Sequence, residues 1–137
     1  MYQVKVIGNR PDFRVFIELL YGFGRNVDTD GNSEPVSSRI WTDLYINDRE
    51  SDTPSVEISA SRDNIDIFEI KSKSAELETL AALYLFLYCG SFISFNGTEL
   101  NQGELARLRT RYSVQLERVK KSIWHQSSDD NLYPNLS

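Results

Sequence analysis

The chain has 137 residues, 40% of them hydrophobic and 12% aromatic, and a formal net charge of −5. That length suits one domain with its own core, and that composition excludes a wholly disordered chain. A single cysteine excludes an internal disulfide, a single histidine excludes a multi-histidine metal centre, and the longest apolar run, Leu80 to Cys89, falls well short of the ~20 residues that cross a bilayer.

Residues 2–7 alternate in the manner of a strand and carry no signal-peptide h-region, so a cytoplasmic protein is expected. Gly8, Asn9 and Pro11 stop that strand. Phe13, Phe16, Ile17, Leu20 and Phe23 then recur at helical spacing, and Gly22 and Gly24 mark the end of the helix. Residues 25–38 read as a polar loop. Strands rich in β-branched and aromatic residues follow at 39–47, 55–61 and 64–70. A tight turn over residues 61–64 would set Ala60 opposite Ile65 and Ile58 opposite Ile67. Val56, Ile58, Ala60, Ile65 and Ile67 would then face the core, with Glu57, Asp66 and Phe68 outside.

Ser74 suits an N-cap, with Glu76 and Glu78 in the first turn, for a helix that is apolar all round from Leu77 to Cys89 and is therefore expected at the centre of the fold. Cys89 reads as a buried structural thiol. Residues 92–95 suggest a short strand and Asn96-Gly97 a turn. Asn101 and Glu104 make a capping box for a long amphipathic helix reaching about Trp124, with Leu105, Leu108, Tyr112, Leu116, Val119 and Ile123 as its apolar stripe. The fold expected is α+β, a largely antiparallel sheet of about four strands with three helices in the order β-α-β-β-β-α-(β)-α. Residues 1–125 form one domain, and 126–137 a polar, mobile tail with Leu132, Tyr133 and Leu136 as available anchors.

Asn26 to Gly31 resembles the first half of an EF-hand calcium loop, but Ser37 stands where the bidentate glutamate belongs, so tight calcium binding is not expected. No glycine-rich phosphate loop and no catalytic triad is present. His125 closes a surface helix far from any serine elbow. No cofactor, no metal and no membrane partner are expected.

Charge is segregated along the chain. Asp28 to Glu69 is strongly acidic, whereas Arg107 to Lys121 is basic, with Arg107, Arg111, Arg118 and Lys121 on one line of the last helix. The acidic part mixes Asp28, Asp30, Glu34, Asp43, Glu57 and Asp66 with Trp41, Tyr45 and Phe68, a composition suited to a protein-binding surface. The function expected is a non-enzymatic inhibitor that binds and blocks a basic, nuclease-like protein such as a toxin. In physical design this is similar to the bacterial immunity proteins, although no motif carries the likeness. Three rival readings stand beside it. A nucleic-acid binder would use Arg107, Arg111, Arg118 and Lys121. A small enzyme would use paired carboxylates among Asp43, Glu57 and Asp66, and a homo-oligomer would pair its own acidic and basic regions.

Overall fold

Alternating apolar and polar residues build the sheet, and an all-apolar helix fills the space above it. In a computed structural model of the chain, residues 1–23, 27–49 and 52–134 are described. Gly24, Asn26 and Leu136, each given a part in the reading above, lie outside them. The elements run β1 (Tyr2–Val6), α1 (Arg14–Tyr21), β2 (Val27–Gly31), β3 (Asp43–Asp48), β4 (Val56–Ala60), β5 (Ile67–Ser72), α2 (Ala75–Cys89), β6 (Gly90–Phe95), β7 (Thr98–Glu99), α3 (Gln102–Arg111) and α4 (Ser113–Lys120), closed by a 3₁₀ turn at Ile123–Gln126. The class is α+β as expected, but the described residues form seven strands and four α-helices, not four and three.

All seven strands belong to one antiparallel sheet ordered β2-β3-β4-β5-β1-β6-β7. The extra strands lie at its edges. β2 occupies part of the expected polar loop, and its Asp28, Thr29 and Asp30 are all exposed. An edge strand has one free side, so it tolerates a charged sequence that no hydrophobic pattern announces. β7 returns from β6 through Asn96 (φ 50) and Gly97 (φ 86), the paired left-handed residues of a tight hairpin.

α2 begins as expected, with the Ser74 hydroxyl accepting from Leu77 N, and Leu80 to Leu85 are all buried. It packs on β1, β5 and β6 on one side and on α1 on the other. Gly90 lets the chain enter β6 directly, because a Cβ there would stand 2.7 Å from the Phe86 backbone. The helix is not dry throughout. Leu87 and Tyr88 in its last turn are 40% and 42% exposed.

α1 buries Val15, Phe16 and Leu19 completely, so the core face is offset from the one the spacing suggested. Ile17 and Leu20 are half-buried and Phe23 is exposed. The reason is that α1 is covered from a second side by α4 and the 3₁₀ turn. The expected single last helix is divided at Tyr112, which has φ −105 and ψ 20 and a buried side chain. Its capping box at Asn101 and Glu104 is present. The bend leaves Leu105 and Leu108 against the sheet-side core while Val119 is buried where α4 meets α1.

Polar side chains fasten this second layer. The fully buried Asp12 carboxylate accepts from Arg14 Nε at 3.0 Å, from Arg14 Nη2 at 2.7 Å and from Ser127 Oγ at 2.5 Å. The Arg14 guanidinium lies 4.0 Å from the Trp124 ring centroid and 5.3 Å from that of Tyr133. Arg39 donates to the carbonyls of Trp124, His125 and Ser127, and Ser37 Oγ donates to Asp129. Ser122 Oγ donates to the buried Glu18 carboxylate. Burial raises the Glu18 pKa above its ordinary value, opposed by that hydrogen bond and by His125 and Arg118.

Two outcomes follow for stability. Leu83→Ala should lower the unfolding free energy by ~2–5 kcal/mol in urea titration, because its side chain is fully enclosed, whereas Leu87→Ala should cost about 1 kcal/mol or less. Because the folded pKa of Glu18 is raised, its stabilising contribution is present at low pH and lost as pH rises through that folded value. Glu18→Gln should therefore gain stability relative to the wild type as pH rises from below the ordinary glutamate pKa through the raised folded value, read as diverging denaturation midpoints.

Candidate functional site

The outward face of β2 to β5 is set by strand parity. Leu44 and Ile46 on β3, Val56 and Ile58 on β4, and Phe68 and Ile70 on β5 point to the core and are buried. Their neighbours must point away. Pairing then lines these neighbours up across the sheet. One row runs Asp30, Tyr45, Glu57, Lys71, and the next runs Asp43, Ser59, Glu69, Gln3. Asp28 stands opposite Asn47.

The result is a rigid, acidic surface around one aromatic. Tyr45 is 41% exposed, and Asp28, Asp30, Asp43 and Glu57 are exposed about it. Among the described residues, few cations answer them at close range. Arg49 reaches Asp28 at 3.5 Å, Lys71 lies 4.0 Å from Glu69, and Gln3 Nε2 donates to Glu69 at 3.3 Å. The carboxylates lie on neighbouring strands held ≈ 4.7–4.9 Å apart by backbone hydrogen bonds, so the charge pattern does not depend on flexible loops.

Not every expected residue joins this face. Trp41 is 1% exposed, and its Nε1 donates to the Pro11 carbonyl at 2.8 Å while its ring meets Phe16 and Phe68 edge-on. The strand starts at Asp43, so the parity that links Asp43 and Tyr45 does not extend back to Trp41. Phe68 is fully buried. Its reversal comes from the β4–β5 connection, which spans residues 61–66 instead of a tight turn: Ser61 N donates to Ile67 O, Ile67 N to Asn64 O, and Asp66 N to the Asn64 side chain. Ile58 therefore pairs with Ile70, not Ile67, and that odd shift turns β5 over. Ile65, expected in the core, is 68% exposed, and Ile67 is half-buried on the outer side. Asp66 is exposed in the connection, where its carbonyl accepts from Val6 N, and Glu34 is exposed in the loop after β2. Neither lies in the two rows.

Glu69 and Lys71 belong to the face and were not anticipated, although the alternation Phe68-Glu69-Ile70-Lys71 contains the signal.

The basic line on the last helix does not survive as a continuous stripe. The bend at Tyr112 separates Arg107 and Arg111 from Arg118 and Lys121. Arg111 Nη2 is held by Glu76 at 2.7 Å, and Arg118 Nη2 donates to the carbonyls of Glu18 and Leu19 at 2.9 and 3.1 Å. Arg107 and Lys121 remain exposed.

The Asn26–Gly31 pattern lies largely in β2, an extended strand where a coordinating loop would have to curl, with Asn26 itself outside the described residues. Among the described residues, no group of three histidine, cysteine or acidic side chains is placed to hold a metal ion. Burial raises the Cys89 pKa to about 11, which keeps the thiol protonated at neutral pH. Among the described residues, no helix is long and apolar enough to cross a membrane. Comparisons of the chain with protein-family models, with curated proteins and with solved structures find no match.

These placements separate core aromatics from surface ones. Phe68→Ala should cost ~3–5 kcal/mol in denaturant titration. Tyr45→Ala, on the open face, should leave the midpoint within about 1 kcal/mol of the wild type.

Proposed function

We propose that the protein is a non-enzymatic binding module that holds and blocks a basic protein partner through the outer face of β2 to β5. The observation carrying this reading is the cross-strand row Asp30, Tyr45, Glu57 with Asp43 and Glu69 beside it: an aromatic within a field of carboxylates on a preformed sheet. Such a face suits a cationic active site, whose lysines and arginines are clustered to hold a polyanion, and a nuclease-like toxin is the partner class that fits best. The design is that of an immunity-type inhibitor acting in the cytoplasm. Tyr45 replaces Trp41 and Phe68 as the aromatic anchor.

The physics assigns separate roles to the charges and the ring. Carboxylates steer a cationic partner into contact, an attraction that decays over a Debye length of ~8 Å at physiological salt. The ring, once desolvated, governs how long the complex lasts.

Full-length protein immobilised on beads, with extracts of its native host, should retain a basic protein whose association rate falls as salt rises. The triple variant Asp43→Lys, Glu57→Lys, Glu69→Lys should slow association by about tenfold or more, within the range of electrostatic steering. Tyr45→Ala should mainly speed dissociation. If only Arg107→Glu and Lys121→Glu weaken binding, the basic helix is the working surface and the acidic-face reading is wrong.

A further inference from the structure

The helical layer carries a concave site that the acidic sheet face does not use. The last turn of α2, the end of α3, α4 and the 3₁₀ turn enclose an open cavity of about 540 Å³. This is within the ≈ 300–1,000 Å³ of typical small-molecule pockets. Leu87 and Tyr88, in the last turn of a helix whose middle is buried, are exposed along the cavity wall.

Three features define what the cavity would accept. One wall is aromatic: Tyr84 and Tyr88 have ring centroids 6.0 Å apart, and Tyr88 stacks on His125 at 6.2 Å with 9° between the planes. Leu87 and Leu116 add aliphatic surface. The charged lining is net cationic. Lys120 holds Glu117 at 2.9 Å, which leaves Arg109, exposed and without a hydrogen bond or ion pair among the described residues. The third feature is a lining phenol: Tyr84 is 6% exposed, and its buried hydroxyl has no hydrogen-bond partner among the described residues.

We propose that this cavity binds a small aromatic carboxylate, with its ring against Tyr84, Tyr88 and Leu87 and its anionic group paired with Arg109. A flat ring suits the aromatic wall, since offset or edge-on ring contacts add to the gain from area burial alone. An anion is selected over a cation by Arg109, whose planar guanidinium fork matches a carboxylate. The Tyr84 hydroxyl is itself enclosed, so this residue meets the bound group through its ring.

The test is an NMR titration of the isotope-labelled full chain with indole-3-acetate, using tryptamine as the control with the same ring and the opposite charge. Indole-3-acetate should produce saturable shifts confined to the backbone amides of residues 84–88, 109–120 and 125, and tryptamine should produce none. Arg109→Glu, an exposed position, should weaken binding by about tenfold or more, the equivalent of one lost charged contact of ~1.4 kcal/mol. Tyr84→Phe, which keeps the ring and removes only an enclosed hydroxyl without a partner among the described residues, should leave the affinity within about twofold of the wild type and should not lower thermal stability. Equal binding of tryptamine, shifts scattered over the surface, no shift at millimolar ligand, or unchanged affinity in Arg109→Glu would each overturn the proposal. So would a dimer, seen by sedimentation, that buries Leu87 and Tyr88.

Discussion

The fold depends on one pairing, the insertion of β1 between β5 and β6. Val4 lies opposite Phe68 on one side and Ile93 on the other, and all three are buried beneath α2. Without this strand the sheet would fall into two pieces, β2 to β5 and β6 to β7, each presenting a long unpaired edge. The partners of β1 lie far along the chain, so the central seam can close only after most of the sequence is available. Loop-closure entropy makes such nonlocal pairing slow, and α2, whose middle turns are buried, offsets that cost by covering the seam once it has formed.

Above the seam, charge does what hydrophobic residues do elsewhere. α1 is held between α2, a hydrocarbon surface, and a C-terminal segment that offers Ser122, Trp124, Ser127 and Tyr133 to Glu18, Arg14 and Asp12. A buried ion pair contributes most when its remaining donors and acceptors are also satisfied: the Asp12 carboxylate accepts from a backbone amide, a guanidinium and a hydroxyl, whereas Arg14 Nη1 is buried without a hydrogen-bond partner among the described residues and lies beside the Trp124 ring. The same contacts orient the helix, because a misrotated α1 would leave a carboxylate or a guanidinium buried without a partner.

Much of this was legible in the sequence and some was not, for identifiable reasons. Ser74, Asn101 with Glu104, and Asn96-Gly97 act through neighbours three residues away or fewer, so their roles could be read locally. The apolar character of α2 likewise announced its central position. What failed depended on distant partners. Phe68 was placed outside because one connection is longer than a tight turn, and a register error of odd length inverts every side chain that follows. Trp41 was placed outside because parity was carried past the end of a strand. Arg111 and Arg118 looked free because Glu76 and the carbonyls of α1 are dozens of residues away. The acidic face itself was read in part: Asp43, Tyr45 and Glu57 are where parity put them, while Glu69 was hidden by the inverted strand.

The attachment of residues 122–134 to α1 has a consequence for how the protein comes into being. A ribosome delivers these residues after every strand and helix they complete. Until they arrive, Asp12 and Arg14 have each other but neither Ser127 nor the Trp124 ring, and Glu18 has no Ser122. The nascent chain therefore has its sheet and central helix in hand while one flank of α1 still faces water. Delivery of residues 122–134, not emergence of the last strand, is the event that seals this flank of α1.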